Sequence, residues 1–166
     1  MHSLLQERCM EFYLVGGYVR DLLLEHPGRD VDFALAGDAM GLAREIADEF
    51  GGFFVPLDEE RCIGRAILRD ESGEPFYMDF ARLRGGGIAT DLALRDFTIN
   101  AMAIDLSNPD QLRLIDPHNG RRDLEDKTIK AISDTAFEDD PLRTLRAVRL
   151  AAELDFHIEP KTEALI

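Results

Sequence analysis

Cysteine is scarce: Cys9 and Cys62 are the only two in 166 residues. Two isolated thiols are too few for a disulfide framework or a zinc site. They read as buried or partly buried thiols in a reducing cytoplasm. Long apolar runs are absent as well, and none approaches the roughly 20 residues that span a bilayer. The segment Met1 to Glu11 lacks the basic and then apolar layout of a signal peptide. Repeats, low-complexity tracts and Pro/Ser-rich linkers are missing. Basic residues are outnumbered, with 19 Lys and Arg against 33 Asp and Glu, giving a formal net charge of −14. Gripping a nucleic-acid backbone needs Lys and Arg to displace counterions. The deficit therefore argues against a domain that holds nucleic acid by itself. It leaves room for a catalytic domain whose grip lies elsewhere. What remains is 45% hydrophobic and 31% charged, the composition of a soluble globular domain with the start of a second.

The order of elements predicts a mixed α/β sheet flanked by helices. Phe12–Val15 reads as an apolar strand, followed by Gly16-Gly17 and a short helix that His26-Pro27-Gly28 ends. Asp30–Leu35 reads as a strand with Val31, Phe33 and Leu35 on one face and Asp30, Asp32 and Ala34 on the other. Asp38 caps a helix over Ala39–Phe50. Strands are expected at Phe53–Pro56, Cys62–Arg69 and Phe76–Ala81, with a hairpin turn at Asp70–Glu74. Beyond Gly85–Gly87, Asp91–Ala103 reads as helix and Leu112–Ile115 as a short strand. Asp139–Leu154 reads as a long amphipathic helix with Leu142, Leu145, Val148 and Ala152 inward. Another helix starts at Lys161 and stops at Ile166, which reads as a piece of a longer protein or as a short helical appendix.

Strand alternation places Asp30 and Asp32 on the same face. Two carboxylates held together repel unless a cation shares them, and Mg²⁺ takes a few carboxylates plus substrate phosphates. Two exposed aspartates at a sheet edge would look the same in the tripeptide alone. Gly16-Gly17 lets backbone approach a phosphate, although a tight turn also uses glycine. Arg20 on the next helix offers a forked contact to that phosphate. Asp79, inside an apolar strand, needs a partner: Arg82 or Arg84, or a metal shared with Asp30 and Asp32. Three carboxylates suit two-metal phosphoryl transfer, with Asp79 as ligand or general base. Arg95, Asp96 and Asn100 are expected together, with Arg95 on a triphosphate and Asn100 on sugar or phosphate. Arg143, Arg146 and Arg149 recur every third residue after Asp140 and form a stripe. A solvated basic face or an anion and nucleobase site would each fit it.

These residues fall into an ordered set. It runs Leu14-Val15-Gly16-Gly17-Tyr18-Val19-Arg20-Asp21, Asp30-Val31-Asp32, Arg95-Asp96-Phe97-Thr98-Ile99-Asn100-Ala101-Met102-Ala103, Asp116-Pro117 with Gly120, and Asp140-Pro141-Leu142-Arg143 through Arg149. The set resembles the class II tRNA nucleotidyltransferase and bacterial poly(A) polymerase family from about Phe12 to Ile158. The resemblance implies a polymerase-β-like nucleotidyltransferase head over residues 1–134 and the truncated start of a helical neck over 135–166. It implies Mg²⁺-dependent transfer of AMP or CMP from ATP or CTP to an RNA 3′ hydroxyl, most simply that of tRNA, with release of pyrophosphate. Poly(A) addition, or partial A or CC addition, are the alternatives within the family. Outside it, a nucleotidyltransferase for a small molecule or a non-catalytic nucleotide-binding module would share some elements.

By this resemblance Asp30, Asp32 and Asp79 match the metal ligands. Gly16, Gly17, Arg20 and Arg95 match the triphosphate site, with Asp96 and Asn100 beside it. Asp140, Arg143, Arg146 and Arg149 match the helix that selects the incoming base. The chain departs from the family in four places, one being that Cys62–Arg69 carries no clear arginine-rich signature of the bacterial poly(A) polymerases. Only Gly85–Thr90 bridges the Asp79 strand to Asp91, Leu94 precedes Arg95 where a second arginine is common, and Asp139-Asp140 stands for Glu-Asp. The RNA grip is expected in a C-terminal body, so this part alone should bind RNA poorly. The sequence carries no signal for membrane attachment or for oligomeric state.

Overall fold

A computed structural model describes residues 11–108 and 111–166; Cys9 lies outside the described residues. The strands are β1 (Phe12–Val15), β2 (Asp30–Leu35), β3 (Phe53–Asp58), β4 (Ile63–Arg69), β5 (Pro75–Arg82), β6 (Ala103–Asp105) and β7 (Arg113–Ile115). They form one sheet in the order β3-β4-β5-β2-β1-β6-β7. Only the β2–β5 pairing within it is parallel. The connection between those strands carries helix α2 (Ala39–Glu49), as a crossover requires. The fold is thus the expected mixed α/β sheet.

Alternation decides what each sheet face buries. Phe12, Leu14, Val31, Phe33, Leu35 and Phe80 face one core, in which the rings of Phe12, Phe33 and Phe80 stack at 5.1 and 4.9 Å. Leu42, Ala43, Ile46 and Ala47 of α2 close that side, one stripe of an amphipathic helix. Asp38 caps α2, its carboxylate accepting from the Gly41 amide at 2.9 Å. The other face carries Tyr13, Val15 and Ala34 in a smaller cluster with Leu92, Ala101 and Ala103. Asp32 shares that second face with Ala34.

The expected helix over Asp91–Ala103 does not form as one piece. Helix α3 covers Ile88–Ala93, a 3-10 turn covers Thr98–Asn100, and β6 has begun by Ala103. The reason is a competing partner. Phe97 is extended and bridges Ala131, the Thr98 amide donates to the Lys130 carbonyl, and the Ile132 amide donates to the Asp96 carbonyl. A strand-like stretch therefore takes the backbone groups that a helix would have used.

The expected helix at Asp139 is also divided, into α5 (Ala136–Asp139) and α6 (Leu142–Leu154). Pro141 disfavours helical dihedrals at the residue before it, and Asp140 is extended. Its carboxylate instead accepts from the Leu142 amide at 3.0 Å. The inward face of α6 also differs from expectation. Leu142, Leu145 and Val148 are 66%, 68% and 55% exposed, and Ala152 is exposed as well. The buried residues are Ala147 and Leu150, which join the core with Phe97 and Phe137.

Between β7 and α5 lie helix α4 (Gly120–Glu125) and strand β8 (Thr128–Ile129). Strand β9 (His157–Ile158) pairs in parallel with β8 and ties the end of α6 back to the sheet-bearing part. Helix α7 (Pro160–Glu163) follows. Among the described residues no helix is long and apolar enough to cross a membrane.

Candidate active site

Register builds the acidic part of the site. Arg65 of β4 pairs with Asp79 of β5, Asp79 with Asp32 of β2, and Asp32 with Val15 of β1. Side chains directly opposite on paired strands share a face, so Asp79 and Asp32 stand side by side on adjacent strands. Asp30 is two residues before Asp32 on the same strand face and is exposed. The three acids predicted to cluster are therefore neighbours.

Asp79 is not bound to Arg82 or Arg84, as one reading of the sequence expected. Arg65 holds it in a forked pair, Nε to Oδ1 at 2.6 Å and Nη2 to Oδ2 at 2.8 Å. The guanidinium also lies over the Tyr77 ring, 5.1 Å from its centre. The Arg65 side chain was missed in the sequence, yet its position was implicit in the hairpin turn. In that hairpin Arg69 pairs with Pro75 and Ile63 with Ala81, which brings Arg65 opposite Asp79. Among the described residues no three acidic, histidine or cysteine side chains converge on a common metal position as they stand.

Asp32 carries the electrostatic mark of the site. Burial, then the charges of Asp79 and Asp30, push its carboxyl from 3.8 up to about 6, against a lowering from Arg95 and Arg65. A carboxyl so disfavoured as an anion is one that a cation would relieve. The donor set of Asp30 and Asp32 thus fits a hard divalent ion. Asp79 is already engaged by Arg65 at both oxygens.

Gly16 separates Asp32 from Arg95. Its φ is 74° and ψ −148°, a conformation that glycine alone adopts readily. A Cβ there would lie 3.0 Å from Arg95 Nη1 and 3.1 Å from Asp32 Oδ2. The missing side chain keeps open the gap between a carboxylate and a guanidinium. Gly17 begins helix α1 (Gly17–Leu23), which carries Arg20. Asp91, another residue missed in the sequence, positions Arg95. Its carboxylate accepts from Arg95 Nη2 and from Arg84 Nε, both at 2.9 Å, and it is 4% exposed. Burial alone would raise the Asp91 carboxyl, but the two arginines outweigh it and hold it below the usual range. The i, i+4 spacing of Asp91 and Arg95 was the available signal.

A cleft of about 360 Å³ opens beside Asp32 and Gly16. Arg20, Arg95, Asp96 and Asn100 line one side, and Arg143, Arg146 and Arg149 of α6 line the other. Arg84 makes the sixth arginine on its wall. A chain of net charge −14 has here a local excess of cation, which draws in polyanions. The walls are tied together by a relay of polar contacts. Arg20 Nη1 donates to Asn100 Oδ1 at 2.8 Å, Asn100 Nδ2 donates to Asp96 Oδ1 at 3.2 Å, and Arg146 Nη2 lies 2.7 Å from Asp96 Oδ2. That last contact is an ion pair without hydrogen-bond geometry, and Asp96 Oδ2 has no hydrogen-bond partner. Arg143 donates to the carbonyls of Leu94 and Ala136 at 3.0 and 3.2 Å. Arg149 sits nearer the open edge, paired with Glu153 at 3.6 Å.

Asp140 does not line this cleft. It lies at the neighbouring one, with Asp139, Arg82 and the half-buried Cys62, and the two clefts share Arg84, Arg95 and Arg143. Asp30 and Asp79 likewise stay outside the arginine-lined cleft, and Asp32 is the member of the acidic row that reaches it.

Known proteins agree with this architecture. A family model for the poly A polymerase head domain matches residues 12–130. A CC-adding tRNA nucleotidyltransferase of Geobacter sulfurreducens is 49% identical over 93% of this chain and 34% of its own length. An A-adding tRNA nucleotidyltransferase of Aquifex aeolicus is 39% identical over 93% of this chain and 20% of its own length. A solved tRNA-processing enzyme with CTP superposes with a TM-score of 0.81 at 39% identity, covering 93% of this chain and 42% of that one. The chain thus spans about a third or less of the length of these two curated relatives. The likeness covers both the strand face that bears Asp30 and Asp32 and the arginine-bearing helix, and the chain belongs to the poly A polymerase head-domain family.

Proposed function

We propose that this chain is the catalytic head of a template-independent RNA 3′-end nucleotidyltransferase, with tRNA as its acceptor and ATP and/or CTP as donors. One observation carries the reading: Asp32 and Arg95 flank the open backbone of Gly16 at the mouth of a cleft that Arg143, Arg146 and Arg149 close from the other side. A triphosphate laid against Gly16, Gly17, Arg20 and Arg95 would put its α-phosphorus next to the acidic strand row. The base would then face α6, where arginine donors and the Asp96–Asn100 relay present fixed hydrogen-bonding groups without a template.

In the reaction the RNA 3′ oxygen bonds to the α-phosphorus. The bond from that phosphorus to the bridging oxygen breaks, and pyrophosphate leaves with the electron pair. The hydroxyl proton passes to Asp79 or to solvent. Asp30, Asp32 and Asp79 would hold Mg²⁺, which supplies activation of the hydroxyl and neutralisation of the leaving group. Arg20 and Arg95 orient the phosphates, while Arg143, Arg146 and Arg149 orient the nucleotide from the helix side. Residues 1–134 form the head in this reading, and 135–166 begin the neck, with Asp140 capping its helix. The enzyme works in the cytoplasm, where its acceptor resides. The acidic surface leaves the grip on tRNA to parts found in the longer relatives.

The 49% identity to a CC-adding enzyme, against 39% to an A-adding one, favours CMP addition as the narrower reading. The test is to give the full-length protein labelled CTP and ATP with tRNAs lacking one, two or three terminal nucleotides. Incorporation of CMP onto the shortest ends is expected, and Asp30→Ala or Asp32→Ala should abolish it. Long A tails on any RNA without CMP use would replace the tRNA reading with poly(A) synthesis. Near wild-type transfer by either aspartate variant would remove the metal assignment.

A further inference from the structure

We infer that Arg65 is a built-in counter-cation for the acidic row, a latch that holds Asp79 until a divalent ion displaces it. The inference rests on the assignment of Asp30, Asp32 and Asp79 to the metal. Four observations lead to it. Arg65 and Asp79 are direct cross-strand partners joined at both carboxylate oxygens, 2.6 and 2.8 Å away. The side chains are 29% and 21% exposed, so solvent screens the pair only partly. The guanidinium is supported by the Tyr77 ring at 5.1 Å and is therefore placed rather than loose. Finally, no three acids among the described residues converge on one metal position.

Three neighbouring carboxylates would destabilise an empty site by mutual repulsion. The Arg65 fork cancels one charge in that state. It also engages both oxygens of Asp79, so an ion arriving there competes with the guanidinium. Metal arrival is thus an exchange of one cation for another: a guanidinium leaves the carboxylate as the ion takes it up, with no covalent bond made or broken. Arg65 is a positioning residue, and it sets how strongly the empty row competes for metal.

The experiment titrates Mn²⁺ into the wild-type chain and into Arg65→Gln, Arg65→Lys and Asp32→Asn, following free Mn²⁺ by paramagnetic resonance and melting temperature with and without the ion. Arg65→Gln should bind Mn²⁺ about tenfold more tightly, the scale of one charge-assisted contact no longer in competition. It should melt lower than wild type without metal and gain more on adding it. Arg65→Lys, which keeps the charge without the fork, should fall between and guards against a folding failure in the glutamine variant. Unchanged or weaker Mn²⁺ binding in Arg65→Gln, with binding lost in Asp32→Asn, would overturn the latch and leave the metal reading intact. Unchanged binding in Asp32→Asn would overturn the metal reading itself.

Discussion

Replacing Asp32 by Asn should make the metal-free protein more stable at neutral pH, although it removes a residue proposed to be essential. The carboxyl is raised from 3.8 to about 6 by burial and by its acidic neighbours. At about 1.4 kcal/mol for each tenfold change in proton affinity, that rise corresponds to about 3 kcal/mol. The sign follows from proton uptake. Between about pH 4 and pH 6 the folded chain binds more protons at Asp32 than the unfolded chain does, so stability falls as pH rises through that window. Below about pH 4 both states are protonated and the cost is absent; above about pH 6 it is fully present. Asn is neutral throughout and nearly the same shape. For a chain of this size, 1 kcal/mol moves the melting temperature by roughly 2–4 °C. Calorimetric scans in chelator should therefore coincide for the two proteins near about pH 4. They should separate by about 6–12 °C above about pH 6, with the Asp32→Asn variant the more stable, taking the upper end as a ceiling. Comparing the two proteins at each pH cancels the titration of groups remote from Asp32, while Asp30 and Asp79, which interact with it, titrate as part of the same coupled set. Parallel melting curves across the whole range, or a less stable variant at about pH 7.5, would refute the electrostatic account of the site.

Two further substitutions test the walls of the cleft. Gly16→Ala forces a side chain into φ 74°, ψ −148°, which should cost about 1–3 kcal/mol and lower the melting temperature. Its methyl would also wedge between Asp32 and Arg95, so triphosphate affinity measured by calorimetry should fall roughly tenfold or more; unchanged affinity would exclude that gap as the phosphate site. Arg146→Ala leaves the 4% exposed Asp96 carboxylate without its cation, and should cost about 1–3 kcal/mol in urea denaturation. Asp96→Asn in the same background should recover part of that loss, and no recovery would place the effect elsewhere.

Parts of this architecture were legible because they depend on local rules. Period-two alternation placed Asp30 and Asp32 opposite Val31 and Phe33, and the Asp38 cap and the Gly16-Gly17 turn need only their own neighbours. The Arg95–Ala103 motif was recognised as a site, but its backbone was misread. Phe97 to Ala103 are buried at every position, so they show neither a helical nor a strand period. Their conformation is set by residues 130–132, far along the chain. In α6 the arginine stripe was visible, yet the apolar positions taken as inward are the exposed ones. Leu142, Leu145 and Val148 share the three-residue spacing of the arginines, and periodicity defines a stripe without saying which stripe meets the core. The small Ala147 made the true inward face inconspicuous. Arg65 is not legible locally because its partner is fourteen residues away and only the hairpin register brings the two together.

The parallel pairing of β2 with β5 has a consequence for how this scaffold can vary. Neighbouring strands lie about 4.8 Å apart, and backbone hydrogen bonds maintain that spacing whatever the connecting segments do. Asp32 and Asp79 sit on those two strands in register, so the sheet acts as a ruler between them. The Gly85–Thr90 segment follows β5 beyond Arg82 and runs into α3, whose Asp91 holds Arg84 and Arg95 of the cleft wall. Lengthening or shortening it can reshape the wall of the cleft while the backbone ruler between the two carboxylates keeps its length. The spacing of the acidic row and the shape of the cleft wall are thereby carried on separable parts of one small domain.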